Sequence, residues 1–243
     1  MIFSLFAVAL ITAFSFWATR QPGAAARGAL SAPPRAGAQL EMLSTGITTA
    51  VNVTPNPDAQ WLIRATAQTG IPARALRAYV AAAATANDSA PMCGIGWNTV
   101  AAVGSVESAH GTYGGGSLNT AGQASGLLVG PSLDGVGFAA IADTDAGVLD
   151  GDARWDHAVG PMQFIPSTWQ LAGRDGNGDG TADPFNIDDA ALSAATYLCA
   201  RGRDLSTAQG WTDAIYSYNQ SDPYIREVRA QATAYAAKTG TAE

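Results

Sequence analysis

The sequence predicts a mainly α-helical domain, and three of its features support that fold class. Several Ala-rich segments carry apolar residues at the i, i+3, i+4 spacing of a helix. Runs of alternating apolar and polar residues, which are typical of strands, are nearly absent. Glycine and proline separate the helical segments. With 243 residues and a 47% hydrophobic content, the chain can form one folded core with appendages.

The spacing of the apolar residues and the breaks between them predict eight helices. A Gly-Ile-Pro break at 70–72 separates the first two, and Gly111 with the glycines at 114–116 ends the third. Residues 112–135 are rich in Gly and Ser and predict a loop. The predicted helices are Ala59–Thr69, Ala73–Thr85, Trp97–His110, a short helix near 136–142, Pro166–Leu171, Asp189–Arg201, Thr207–Asn219 and Pro223–Lys238.

The amino terminus predicts export. Residues 2–18 are apolar apart from three hydroxyl side chains, and this length approaches the roughly 20 residues of a membrane span. Residues 1–20 are therefore a signal peptide or a membrane anchor, and small residues at 24–26 would suit cleavage. We expect the protein in the extracellular space or cell wall, or tethered to the outer face of the cytoplasmic membrane.

The composition divides the rest of the chain into three parts. Residues 21–58 are rich in Ala, Pro and Gly and predict a linker. The folded domain is expected at 59–238, and residues 239–243 form a tail.

The two cysteines, Cys93 and Cys199, both lie inside the predicted domain. In an exported protein their most common use is a disulfide. Two buried free thiols remain an alternative, as does a cysteine peptidase that pairs Cys93 with His110 or His157.

The charge distribution excludes one class of partner. The formal net charge is −7, but residues 134–189 hold eleven aspartates against two arginines, so that segment carries −9. Binding to nucleic acid needs clustered basic side chains, and this chain has a single lysine. We therefore expect no nucleic-acid partner.

Glu107 is a candidate general acid. It follows Gly104 by three residues and Val103 by four, so it shares a helix face with apolar residues. Burial disfavours the charged form of a carboxyl group and raises its pKa into the range where it can protonate a leaving group. A solvated glutamate on a helix face is the alternative.

Two further segments carry polar side chains that suit a sugar. Residues 160–169 read Gly-Pro-Met-Gln-Phe-Ile-Pro-Ser-Thr-Trp, an extended stretch followed by a helix, with Gln163 as an uncharged donor and acceptor. Ser167 lacks the G-x-S-x-G pattern of a hydrolase nucleophile. Tyr218 and Asn219 end another predicted helix, where Asn219 is either a helix cap or a cleft ligand.

These segments, together with the Val-Glu-Ser-Ala-His-Gly run at 106–111, resemble the lytic murein transglycosylases of the membrane-bound B type, especially their actinobacterial relatives. The resemblance covers about residues 70–230. It implies a lysozyme-like helical fold with a peptidoglycan cleft. Peptidoglycan glycan strands are then the expected partner.

The resemblance also implies roles for individual residues. Glu107 matches the single catalytic acid and base, and the substrate-binding residues are expected to be Ser108, Met162, Gln163, Tyr218 and Asn219. Glu107 would cleave the β-1,4 bond between N-acetylmuramic acid and N-acetylglucosamine and leave a 1,6-anhydro end. A hydrolytic muramidase and a non-catalytic peptidoglycan-binding module on the same fold are the alternatives.

The Asp-rich segment contains a variant calcium loop. Residues 175–181 match the first seven positions of an EF-hand loop, but position 12 is Asn186 instead of Glu. The resemblance implies that Asp189 closes the loop. The expected structural Ca²⁺ ligands are Asp175, Asn177, Asp179, Thr181 and Asp189. No organic cofactor is expected.

A second acidic cluster, the aspartates at 143, 145, 150 and 152, has no recognisable metal-ligand spacing, and a solvated loop beside the cleft is the preferred interpretation. Two histidines are too few for an all-histidine zinc site.

Overall fold

The computed structural model describes residues 30–38, 56–126 and 128–240. The predicted signal peptide or anchor at 1–20 lies outside the described residues, as do most of the range 21–58 and residues 241–243. Among the helices in the described ranges, none is both long and apolar enough to cross a membrane.

The described part of the chain folds into seven α-helices and one short antiparallel pair of strands, which confirms the mainly helical fold class. The helices are α1 (Ala59–Thr69), α2 (Ala73–Ser89), α3 (Trp97–Ser108), α4 (Pro166–Ala172), α5 (Ile187–Cys199), α6 (Ala208–Tyr218) and α7 (Asp222–Thr239). The strands are β1 (Val129–Ser132) and β2 (His157–Val159).

Helix α3 runs through the core, where α2 and α7 pack against it. All eight residues of the range 97–104 are buried, so most of the helix is enclosed by the core on every side. The Trp97 ring meets Trp61 edge to face, with centroids 5.7 Å apart, and stacks on Tyr235 at 6.5 Å. Only the last turn of α3 reaches the edge of the core.

Helices α2 and α5 pack together extensively, and both contain many buried alanines. Short side chains let two helix axes approach closely. The buried alanines of the two helices are Ala75, Ala78, Ala81, Ala82, Ala83, Ala86, Ala190, Ala191, Ala194 and Ala195.

Cys93 and Cys199 form the predicted disulfide, with Cα atoms 5.3 Å apart. The bond joins the segment before α3 to the end of α5. It uses both cysteines of the sequence, so the cysteine peptidase and the two free thiols are excluded.

Residues 30–38 pack on the domain, although their composition predicts a linker; we call this segment the N-terminal strap. Asn98, which is 0% exposed, accepts a hydrogen bond from the Ala36 N–H at 3.1 Å and donates to the Pro34 carbonyl at 2.9 Å. Arg229 of α7 donates to the carbonyl of Ser31. The folded unit therefore begins earlier in the chain than residue 59.

The helix predicted near 136–142 is wrong. This stretch is a bent loop held by isolated bridges, one of them between Asp134 and Ala140. Gly135 and Gly137 adopt φ angles of 87° and 80°, the left-handed region that interrupts a right-handed helix.

Aspartate side chains organise the loops of residues 134–157, which contain few regular backbone hydrogen bonds. Asp143 accepts three backbone N–H groups, including that of Gly147 at 3.0 Å. Buried Asp156 accepts both the N–H and the hydroxyl of Thr144. Carboxylates satisfy the loop amides here as secondary structure does elsewhere.

Candidate active site

Glu107 lies where α3 leaves the core. The helix is buried up to Gly104, and residues 105–107 are partly exposed. The helix ends immediately afterwards, because Ala109 turns into the left-handed region at φ 50° and its N–H returns to the Ser105 carbonyl. The sequence therefore places one carboxylic acid at the rim of an apolar helix.

The surroundings of Glu107 favour its protonated form. Burial raises the pKa of its carboxyl group to about 8, and the negative charge of Glu227 also raises it. The Tyr224 hydroxyl donates a hydrogen bond to Glu107 Oε1 at 2.5 Å, which opposes this rise by favouring the carboxylate. At neutral pH the carboxyl group of Glu107 is mostly protonated, and the Tyr224 hydroxyl is positioned to stabilise its carboxylate form.

Glu107 faces a cavity of about 640 Å³, a volume that includes space open to solvent. Residues from α3, β1, β2, α6 and α7 and from the loops after the strands surround it. The lining residues are Val106, Glu107, Pro131, Leu133, Phe138, Ala158, Gln163, Ile165, Tyr218, Asn219 and Tyr224. Glu107 is the one carboxylic acid in this lining.

Gln163 lies in the cavity wall, in a tightly fixed backbone. Its φ is 49°, and its side-chain Nε2 donates to the Gly160 carbonyl at 2.9 Å and to the Leu128 carbonyl at 3.3 Å. A Cβ at Gly130 would lie 2.9 Å from Gln163 Oε1, so glycine there makes room for the side chain.

Asn219 and Tyr218, at the end of α6, also line the cavity. The Tyr218 hydroxyl donates to the Met162 carbonyl at 2.7 Å, which fixes its ring. The Oδ1 atom of Asn219 is buried and has no hydrogen-bond partner among the described residues. A buried acceptor without a partner is costly, which makes Asn219 a group that a bound molecule can satisfy.

Two predicted substrate contacts do not reach the cavity. Met162 is 0% exposed and packs in the core, where only its carbonyl serves the site by holding Tyr218. Ser108 is buried as well; its hydroxyl donates to the Pro161 carbonyl at 2.6 Å and accepts from the Gly111 N–H at 2.7 Å. Both residues support the site from behind.

Sequence reasoning included Tyr224 in the resemblance but gave it no role in the site, and it missed the apolar wall of the cavity. Tyr224 lies in the first turn of α7, and only the fold brings it to Glu107. The wall comes from Pro131, Leu133, Phe138 and Ile165, residues of one strand and two loops without a periodic pattern. No sequence signal distinguishes these apolar residues from ordinary core.

The predicted calcium loop is built around two carboxylates. Asp175 accepts the N–H groups of Gly178 and Gly180 at 2.7 and 2.8 Å. Asp189, which is 0% exposed, accepts those of Gly176 and Asp183 at 2.8 and 2.9 Å. The loop therefore wraps around the residue expected to close it.

The oxygen atoms of this loop suit a calcium ion by their chemistry, since Ca²⁺ prefers carboxylate, amide and backbone oxygens as ligands. Burial raises the pKa of Asp189, and the charge of Asp175 adds to the rise. Asp188 instead forms an ion pair with Arg74, whose Nη1 lies 2.9 Å from Asp188 Oδ1.

Two aspartates of the second acidic cluster, Asp143 and Asp145, lie close to Asp156, whereas Asp150 and Asp152 are not part of this group. Among the described residues, oxygens of Asp143, Asp145 and Asp156 lie within 4.8 Å of one another. Each of these side chains already accepts hydrogen bonds from the loop. The arrangement is explained by loop structure.

Comparisons with known proteins found a family model and a solved structure that are similar to this chain. The family model of the transglycosylase SLT domain matches residues 139–212, less than a third of the chain. That range contains Gln163 and the predicted calcium loop, but neither Glu107 nor Asn219. No curated protein matched the sequence. Among solved structures, the Escherichia coli lytic transglycosylase Slt35 in complex with bulgecin A matches at 15% identity with a TM-score of 0.39, covering 74% of this chain and 79% of that chain.

Proposed function

We propose that this protein is a lytic transglycosylase that cleaves peptidoglycan glycan strands. The observation that carries the proposal is the single carboxylic acid of the cavity, Glu107, whose pKa of about 8 keeps it protonated at neutral pH. The SLT-domain match supports the same activity, since it includes the segment that carries Gln163.

The chemistry needs one group that first gives and then takes a proton. Protonated Glu107 donates its proton to the oxygen between N-acetylmuramic acid and N-acetylglucosamine as the bond from that oxygen to C1 breaks. The resulting carboxylate then removes the proton of the muramoyl C6 hydroxyl, whose oxygen forms a new bond to C1. The product is a 1,6-anhydro end, no water is consumed, and Glu107 regains its proton.

Tyr224 balances the two states of Glu107. Burial alone would make the carboxylate costly after the first proton transfer. The hydrogen bond from the Tyr224 hydroxyl stabilises that carboxylate while the acid remains protonated at the start.

The cavity lining suits an N-acetylated sugar. Asn219 Oδ1 is available to accept from an acetamido N–H or a hydroxyl group. The apolar wall with Leu133 and Phe138 suits the C–H face of a sugar ring. The substrate's own acetamido group would stabilise the positive charge that develops at C1, so a second protein carboxylate is not required.

Two alternatives share this fold. A muramidase would need a carboxylate opposite Glu107, about 5 to 9.5 Å away; the described lining of the cavity holds none. A non-catalytic binding module would need no acid of raised pKa, so the surroundings of Glu107 favour an enzyme.

We also propose a structural Ca²⁺ at the loop of residues 175–181. Asp175, Asn177, Asp179, the Thr181 carbonyl and Asp189 would hold it. Bound Ca²⁺ would attach the loop to the first turn of α5 and offset the negative charge of this segment.

Export to the cell wall, with or without a membrane tether, is the localisation that suits this substrate. The Cys93–Cys199 disulfide supports it, because disulfides persist mainly in oxidising compartments.

The activity is tested on purified, insoluble peptidoglycan. The wild-type protein should release soluble muropeptides, and Glu107→Gln should reduce the rate at least about 100-fold, the effect of losing a general acid. Asp213→Asn makes the same carboxyl-to-amide change on the exposed side of α6 and should have no effect. A wild-type protein that sediments with peptidoglycan but releases nothing would be a binding module.

A further inference from the structure

Directly after α3, three consecutive residues adopt the left-handed region. Ala109, His110 and Gly111 have φ angles of 50°, 63° and 80°. Glycine adopts this conformation freely, whereas alanine and histidine do so only when their surroundings hold them there. The turn begins two residues after Glu107.

The His110 side chain provides one such constraint. It is 8% exposed, and its imidazole lies between two tyrosine hydroxyls: Nδ1 is 3.2 Å from that of Tyr79 on α2, and Nε2 is 3.1 Å from that of Tyr235 on α7. Gly104 makes room for this arrangement, because a Cβ there would lie 2.2 Å from the Tyr79 hydroxyl oxygen.

The imidazole is neutral, since burial lowers the pKa of His110 to about 4. A neutral imidazole has one N–H donor and one lone pair, and the two tyrosines use both. His110 does not line the cavity, so it has no direct contact with a substrate. Its role is to join α3 to its neighbouring helices.

The link to α7 leads back to Glu107. Tyr224 and Tyr235 are eleven residues apart, three turns of α7, and therefore lie on one face of that helix. Val228, which is also buried, lies between them, about one turn after Tyr224. The end of α3 thus contacts this face twice, through Glu107 with Tyr224 and through His110 with Tyr235.

We propose that His110 is a positioning residue that, through Tyr235, fixes α7 relative to the end of α3 and so holds the Tyr224 hydroxyl against the Glu107 carboxyl. The inference concerns the geometry of that hydrogen bond, and its effect on turnover rests on the proposed function. Tyr79 anchors the same imidazole to α2, a helix without a cavity residue.

The first test measures the titration of Glu107 without relying on activity. The chain has four glutamates, so labelling with glutamate carrying ¹³C at the side-chain carboxyl gives four signals, and Glu107→Gln assigns the one of interest. Besides Tyr224, the groups that face Glu107 are Tyr218 and Glu227, and both stay unchanged in the variants. Tyr224→Phe should raise the pKa of Glu107 by roughly one unit, the equivalent of a hydrogen bond to a charged group.

His110→Phe and Tyr235→Phe should shift the same signal upward, and neither should add to the shift once Tyr224 is already Phe. Tyr235 also bonds to Ser105, so His110→Phe, which leaves that bond in place, is the more specific variant. Tyr79→Phe is the matched control. It removes the hydroxyl group that bonds the other nitrogen of the same imidazole, and it should leave the titration of Glu107 unchanged.

The second test measures muropeptide release. His110→Phe should lower kcat by roughly threefold to tenfold, the usual range for residues coupled in one network, with KM unchanged. In the Tyr224→Phe background this factor should fall close to one. The proposal is overturned if Tyr79→Phe and His110→Phe have equal effects, or if the shift caused by His110→Phe persists without Tyr224. A wild-type protein without activity would overturn the proposed function, and the titration would still decide the role of His110.

Discussion

The protonation of Glu107 is set by opposing neighbours. Burial and the charge of Glu227 raise the pKa of its carboxyl group, while the Tyr224 hydroxyl lowers it. Because the proposed reaction starts from the protonated acid, the position of this pKa decides the pH range of activity.

The pH profile follows from that balance. The rate should fall on the alkaline side, near pH 8, as Glu107 loses its proton. Glu227→Gln removes a negative charge that raises the pKa of Glu107, so the alkaline limb should move to lower pH. The measurement is kcat/KM against pH for both proteins. An alkaline limb that stays in place or moves upward in Glu227→Gln would contradict this description of the site.

The residues of the site differ in how far sequence could predict them. Glu107, Gln163, Tyr218 and Asn219 were predicted as site residues, and all four line one cavity. Ser108 and Met162 were predicted as substrate contacts, yet both are buried behind the cavity. Adjacent residues on a helix or turn point in different directions, and a motif does not say which of them reaches the cleft.

Tyr224 shows what a linear pattern cannot provide. It lies 117 residues from Glu107 in sequence, and their hydrogen bond depends on how α7 packs against α3. The same holds for Tyr79 and Tyr235 around His110.

At the scale of elements, helices with a clear apolar pattern and Gly or Pro boundaries were predictable. The one wrong helix, near 136–142, follows Gly135 and contains Gly137, whose left-handed φ angles only the structure reveals. The strands β1 and β2 were not predicted, since they are four and three residues long and β1 contains Gly130 and Pro131.

The N-terminal strap illustrates how tertiary contacts override composition. Its prolines and small residues are typical of linkers. Buried Asn98 nevertheless satisfies its side chain with the strap backbone and with the Ala232 carbonyl of α7. The strap therefore supplies hydrogen-bond partners to the buried side chain of Asn98 on α3.

The proposed calcium loop leads to a prediction about stability. Ca²⁺ at a hundred times its Kd should raise the Tm by roughly 5–10 °C relative to a chelator. Asp179→Ala should abolish the difference, whereas Asp213→Asn should keep it. Differential scanning calorimetry provides the measurement. Identical wild-type melting curves with Ca²⁺ and with chelator would refute the calcium site.

At the scale of the whole molecule, the acidic segment of residues 134–189 is separate in sequence from the proposed catalytic acid, Glu107. The aspartates of residues 134–189 accept loop amides, pair with Arg74 or form the predicted calcium loop. Glu107 belongs to the helical core instead, where burial controls its pKa. The acidity of the chain is thus a local property of one segment.

The architecture around the cavity supports the proposed one-acid mechanism. Helices α3, α6 and α7 contribute Glu107, Asn219 and Tyr224, and the strands and their loops provide an apolar wall. With one carboxylic acid in the described lining, the attacking nucleophile is best supplied by the substrate's own C6 hydroxyl group.

The mass of the released muropeptides tests this claim most directly. Peptidoglycan is digested with the wild-type protein, and the products are analysed by mass spectrometry without prior reduction. We predict 1,6-anhydro ends, lighter than the hydrolysis products by one water, and their loss in Glu107→Gln. Muropeptides with new reducing ends, formed by the wild-type protein, would contradict the single-acid transglycosylase and indicate a muramidase.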